Sequence, residues 1–136
     1  MNQDRVIVYT DGASKGNPGK ASIGVSIQDL TGEIATVSKA IGVATNNIAE
    51  YTALLEALKA CLDRGLTKVL IRADSELMVK QLKGEYKVKN PEIKVIYDQA
   101  KILERKFETI NYEHVMREKN KRADELANLA LENFRY

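Results

Sequence analysis

The sequence predicts an α/β domain built on a five-stranded mixed sheet flanked by helices. Three observations carry this: β-rich runs fill the first third of the chain, helical periodicity begins near Asn47, and strand-like and helical segments alternate from there onward. The 136 residues can bury one substantial core without disulfide or metal support. No repeat, low-complexity tract or Ser/Gly linker divides them, so a single domain over residues 1–136 is expected.

Taken in order, Arg5 to Thr10 is β-rich and runs into Asp11-Gly12, so the first strand is expected to stop just before Asp11. Gly, Asn and Pro between Ser14 and Gly19 mark a turn. Ala21 to Gln28 and Ile34 to Ile41 form the next two strands, joined across Thr31-Gly32, which makes the first three an antiparallel meander. From Asn47, Ile48, Tyr51, Leu55, Leu58 and Leu62 recur at helical spacing, and Gly65 supplies a left-handed stop. Lys68 to Ala73 is an aliphatic strand, and Asp74-Ser75 then caps a short helix carrying Leu77, Met78, Val79 and Leu82. Asn90-Pro91-Glu92 is an N-cap, an N1 proline and an acidic first turn, opening a helix to about Phe107. Thr109 to Val115 is the fifth strand. The charged loop Arg117 to Lys121 precedes a last helix with Ala123, Leu126, Ala127 and Ala130 on one side.

The crossover from the first strand through the first helix to the fourth should be right-handed and make those strands parallel neighbours. Functional groups in such sheets gather beyond the carboxyl ends of the strands, so Asp11 and Asp74 are expected to face each other.

Composition narrows the function classes. Basic residues number 21 and acidic ones 19, for a net charge of +2, which neither demands nor excludes a nucleic-acid partner. No apolar run approaches the roughly 18 residues that span a bilayer, and the N-terminus enters a strand pattern without a signal-peptide core, so a cytoplasmic protein with no membrane association is expected. Cys61 is the one cysteine, which rules out an intrachain disulfide or a cysteine zinc cluster, and its helical setting makes it core filling. Nothing points to an obligate protein partner, and a monomer is expected.

Four blocks stand out together: Tyr9-Thr10-Asp11-Gly12 with Gly16-Asn17-Pro18-Gly19; Thr45-Asn46-Asn47 with Ala49-Glu50; Ala73-Asp74-Ser75; and Arg122-Ala123-Asp124-Glu125-Leu126-Ala127. Singly, each acid reads as a turn, a cap or a complement to a helix dipole. The topology places Glu50 in the first turn after the meander and Asp124 at the opening of the last helix, so three or four carboxylates can converge. Carboxylates sharing a site repel and raise one another's pKa, an arrangement tolerated chiefly where divalent cations balance the charge. An all-oxygen set favours Mg²⁺ or Mn²⁺ over zinc.

In this order and spacing the blocks resemble the type 1 ribonuclease H family, from about Val6 to Leu131. The resemblance implies that family's fold, with the first, fourth and fifth strands parallel. It implies that Asp11, Glu50, Asp74 and Asp124 hold two Mg²⁺ or Mn²⁺ ions and cut the RNA strand of an RNA-DNA hybrid, leaving 5′-phosphate and 3′-hydroxyl ends. Asn17, Thr45 and Asn46 match backbone contacts to the hybrid, Ser14 belongs to the same loop, and Asn47 adjoins it.

The chain departs from the family pattern in three places. The loop before the last helix carries no histidine, and Arg117 takes its place as an electrostatic auxiliary; His114 falls within the fifth strand and reads as a strand residue. Only fifteen residues separate Asp74 from Asn90, so the basic handle of longer members is missing. Lys87 and Lys89, with Lys80, Lys83 and Lys94, either meet phosphates in its stead or are a solvated face. Glu76 stands where many members have an RNA-contacting glutamine, and an ionised glutamate cannot donate hydrogen bonds. No separate hybrid-binding domain is expected. Two alternatives share every motif: a hybrid-binding protein of this fold with weak or no turnover, and a nuclease for double-stranded RNA.

Overall fold

A computed structural model describes residues 5–132. Its element order is β1 (Val6–Gly16), β2 (Gly19–Asp29), β3 (Gly32–Ala44), α1 (Asn46–Asp63), β4 (Lys68–Ala73), α2 (Glu76–Leu82), α3 (Pro91–Glu104), β5 (Thr109–His114) and α4 (Lys121–Glu132). A single 3₁₀ turn, Arg117–Lys119, occupies the loop before α4. The five strands form one sheet in the order β3-β2-β1-β4-β5, with β1, β2 and β3 antiparallel and β1, β4 and β5 parallel.

β1 corrects one sequence expectation. The strand does not stop before Asp11 but runs on to Gly16, because β2 keeps pairing with it as far as Gly16↔Gly19. Its parallel neighbour β4 ends at Ala73, opposite Thr10. Asp11 is therefore the first β1 residue beyond the end of β4, which is what brings it beside Asp74. The hairpin tip contains a cis Asn17-Pro18 bond.

Alternation along β1 and β2 sorts the two faces. Val6, Val8, Val25 and Ile27 join Leu54, Leu58 and Cys61 of α1 in the main core, and most of them are wholly buried. Ala49, Ala53 and Ala57 lie at i, i+4 spacing on the buried side of α1, so the helix can press close to the sheet. It ends with Gly65 at φ +72°, where the Leu66 and Gly65 N–H groups close back on Cys61 and Leu62. α3 ends earlier than expected, at Glu104, and Phe107 is instead a buried core residue.

On the other face α4 covers the meander. Ser22 Oγ donates to the Ala127 carbonyl and Ser38 Oγ to that of Leu126 at 2.6 Å, while Arg122 grips Glu33 at 2.8 and 3.0 Å. Gly24 lies between these anchors. A Cβ there would stand 2.1 Å from the Ala123 carbonyl oxygen and 2.6 Å from the Ala127 nitrogen, so the absence of a side chain sets how close α4 comes. Among the described residues no helix is long and apolar enough to cross a membrane.

Candidate active site

The carboxyl end of β4 and the overhanging half of β1 define the site. Asp11, Glu50 and Asp74 each bring a carboxylate oxygen within 4.8 Å of the others. Asp74 directly follows β4, and the next residue, Ser75, caps α2 by accepting from the Met78 N–H at 3.3 Å. Glu50 arrives from α1, in its second turn rather than the expected first, which holds no acidic residue. Gly12 brings it in: a Cβ at Gly12 would fall 2.2 Å from the Ala49 carbonyl carbon and 2.4 Å from the Glu50 nitrogen. The Gly12 N–H also donates to Glu50 Oε1 at 3.0 Å.

Asp124 belongs to the cluster through Asp11. Register places Asp11 opposite Gly24, on the face that receives α4, and the Asp124 carboxyl comes within hydrogen-bonding reach of the Asp11 carboxyl. Its ligand atoms are not part of the tightest set of three, which is made by the other carboxylates.

Asn120 has a role that the sequence did not disclose. Its side chain is 1% exposed, and Nδ2 donates both to the Thr10 carbonyl at 2.9 Å and to Asp74 Oδ2 at 3.1 Å. One amide thus ties the end of the parallel half of β1 to the carboxylate that follows β4. An asparagine before a helix reads as a cap; partners 110 and 46 residues away left no local signal.

The electrostatics follow from this packing. Burial pushes the Asp11 carboxyl well above the usual carboxylate range, and the charges of Glu50 and Asp74 and the bond with Asp124 push the same way. Burial, then Asp74, raises Glu50 to about 8, against the opposing pull of the Gly12 N–H and the Arg117 charge. Arg117 is near enough to Glu50 for its charge to act on that carboxylate. His114 closes β5 opposite Ala73, on the same strand face as Tyr112 and Ile110.

Between about pH 4.5, where an unfolded glutamate ionises, and about pH 8, the folded chain holds protons that the unfolded chain has released. This contribution is complete below that window and is lost as pH rises through it. The melting temperature of chelator-treated protein should fall from pH 5 to pH 8, and Asp11→Asn should flatten the fall. A flat wild-type profile would contradict the clustering of these acids.

The residues expected to touch substrate divide into two groups. The hairpin tip is latched to the start of α1: Asn17 Oδ1 accepts from the Asn46 N–H at 3.1 Å, and Ser14 Oγ donates to the Ala44 carbonyl at 2.8 Å and to Gly16. Thr45 is the N-cap of α1, accepting from the Ile48 N–H at 3.2 Å. These side chains hold the loop in shape, and the NH₂ end of Asn17 is what that amide has left to offer a ligand. Asn47, Lys87 and Lys89 instead line a cleft of about 250 Å³ that reaches Glu50 and Ser75. Glu76 does not line it; it pairs with Lys80 at 3.6 Å on the exposed side of α2.

Comparison with known proteins agrees with this geometry. A family model described as reverse transcriptase-like matches residues 9–130. A bifunctional protein of Mycobacterium tuberculosis is 42% identical over 94% of this chain but 36% of its own length, so the chain spans little more than a third of that relative. Ribonuclease H1 from Halobacterium salinarum has a TM-score of 0.92 at 42% identity, over 96% of this chain and 99% of the other. LC11 ribonuclease H1, solved in complex with an RNA/DNA hybrid, has a TM-score of 0.89 at 41% identity, over 93% and 96%.

Proposed function

The chain belongs to the type 1 ribonuclease H family, and from that we propose that it hydrolyses the RNA strand of RNA-DNA hybrids, leaving 5′-phosphate and 3′-hydroxyl ends. The observation that carries the reading is the convergence of Asp11, Glu50 and Asp74 within 4.8 Å, with Asp124 against Asp11. Buried acids that raise one another's pKa are a costly arrangement, and it fits a divalent cation well. The donors are all oxygen, which suits Mg²⁺ or Mn²⁺, two ions with substrate bound, held by these four carboxylates. Such ions supply activation of a water at the scissile phosphate and stabilisation of the leaving 3′ oxygen.

The protein's own groups keep this set in place. The Gly12 N–H orients Glu50, the Asn120 amide orients Asp74, and Gly24 admits α4 so that Asp124 reaches Asp11. Lys87 and Lys89 present charge along the cleft beside Glu50, where they meet backbone phosphates. RNA is distinguished by its 2′-hydroxyl, through donors near Asn17 and Asn47. The protein acts as a monomer in the cytoplasm.

Cleavage assays on hybrid, duplex RNA and duplex DNA, each with Mg²⁺ or Mn²⁺, test the reading. Cutting confined to the RNA of the hybrid supports it. Binding without cutting would favour a hybrid-binding protein, and preferential cutting of duplex RNA would replace the substrate.

Arg117 gives a finer test. An arginine stays protonated throughout the working pH range, so it attracts phosphate or assists product release but does not act as a neutral base. Arg117→Ala should lower kcat by about 10- to 100-fold with a small change in KM, and Arg117→Lys should keep part of the rate. His114→Ala should alter little beyond stability. A crippled His114→Ala beside a normal Arg117→Ala would reverse the assignment.

A further inference from the structure

Gln81 lies on α2, outside the acidic cluster, yet it is one of the few buried polar side chains among the described residues, 7% exposed. Both ends of its amide are engaged. Oε1 accepts from the Tyr51 hydroxyl at 2.6 Å, and Nε2 donates to the Lys87 carbonyl at 3.3 Å. The orientation is dictated by chemistry: a carbonyl can only accept, so the NH₂ must face Lys87 and the oxygen is left for the Tyr51 O–H. Tyr51 is 2% exposed and is the residue after Glu50 on α1.

The segment held this way has no helix or strand of its own. It leaves α2 through Gly84 at φ +82° and enters α3 at the Asn90 cap. Its first turn is closed on α2 by Gly84 and Glu85, which donate to the Gln81 and Lys80 carbonyls, and its last residue is fixed by capping. Between those ends lie Lys87 and Lys89, flanking Val88, which packs on the core. Lysines on such a strap would lose much of their binding free energy to the cost of ordering it, unless the backbone is ordered beforehand.

We infer that Gln81 is a positioning residue for hybrid binding: through Tyr51 and the Lys87 carbonyl it ties the lysine-bearing strap to the helix that carries Glu50. Lys87 and Lys89 then stand at a set distance from the carboxylates, a local substitute for the missing handle. The inference rests on the proposed hybrid-cleaving function for its consequence, though not for the tie itself.

The test uses Gln81→Met, which keeps the length and apolar contacts and removes both bonds. In the free protein, amide hydrogen exchange over residues 85–89 should accelerate while α1 and the sheet keep their protection. On the hybrid, KM should rise about 3- to 10-fold, the scale of one net hydrogen bond, with kcat within about two-fold. In a Lys87→Ala, Lys89→Ala background, adding Gln81→Met should raise KM no further, because its effect passes through those lysines. Additive effects, a loss confined to kcat, or unchanged exchange in the strap would each overturn the inference. Should Gln81→Met fail to fold, Tyr51→Phe, which removes one hydroxyl, is held to the same criteria. A wild type that leaves hybrid uncut would overturn the functional reading, whereas the exchange result decides the tie independently.

Discussion

Asp11→Asn is expected to cut hybrid cleavage by at least about 1,000-fold while leaving a protein that, free of metal near pH 8, melts higher than the wild type. Both effects come from one geometry. Asp11 is 3% exposed and in contact with three other acids, so its ionisation is opposed by burial and by its neighbours. An amide of the same size needs no proton to be buried there, so folding near pH 8 no longer requires proton uptake at this position, but the amide also lacks the anionic oxygen that Asp11 would offer a cation between the tightest triad and Asp124. Steady-state rates and metal-free melting curves measure the two. Near-normal cleavage would remove Asp11 from the metal-binding set, and a large fall in melting temperature would show that its role is structural.

Much of this was legible in the sequence, for physical reasons. Lys68–Ala73 forms the strand predicted for it because a short aliphatic run followed by Asp-Ser leaves little choice of conformation. Helix α1 and its stop at Gly65 follow from apolar spacing and one left-handed glycine. The crossover rule brings the strand ends that carry Asp11 and Asp74 together across a long separation, and the resemblance to the ribonuclease H family supplied the full set with Glu50 and Asp124. The overhang of β1 was not legible, since it depends on how far β2 continues to pair after β4 has ended. Nor was Asn120, whose two partners are brought to it only by the finished fold. Ser14, Asn17 and Thr45 were legible as a loop that matters, but their bonds to Ala44, Asn46 and Ile48 show how much of their polarity is spent on holding its shape.

Gly24→Ala should be the most damaging single-methyl change on the α4 face, costing about 3 kcal/mol and lowering the melting temperature by roughly 10 °C. The added carbon would meet backbone atoms of α4 at 2.1 and 2.6 Å, and these cannot rotate aside as the end of a side chain can. Moving α4 away strains Ser22 and Ser38 at their carbonyl partners and withdraws Asp124 from Asp11. Activity should therefore fall further than the loss of folded protein explains. Thermal melts and rates measured well below the midpoint separate the two losses. A variant with wild-type stability would mean that α4 can shift at little cost, and the glycine would then have no role in spacing.

The bonds that fix α4 join residues far apart in the chain: 105 positions separate Ser22 from Ala127, and 88 separate Ser38 from Leu126. Each hairpin of the meander, by contrast, closes over a few residues, and the β1–β4 pairing spans 63 positions, through the rest of the meander and α1. Loop-closure entropy thus favours early pairing of the strands and late docking of α4. Truncations of Leu126 should leave the refolding rate nearly unchanged and speed unfolding, while truncations of Val25 should slow refolding; the reverse pattern would refute this order. Asp124 and Asn120 travel with the late-docking end of the chain, so a partly folded chain has three acids without their organiser, and the complete site exists only once folding is finished.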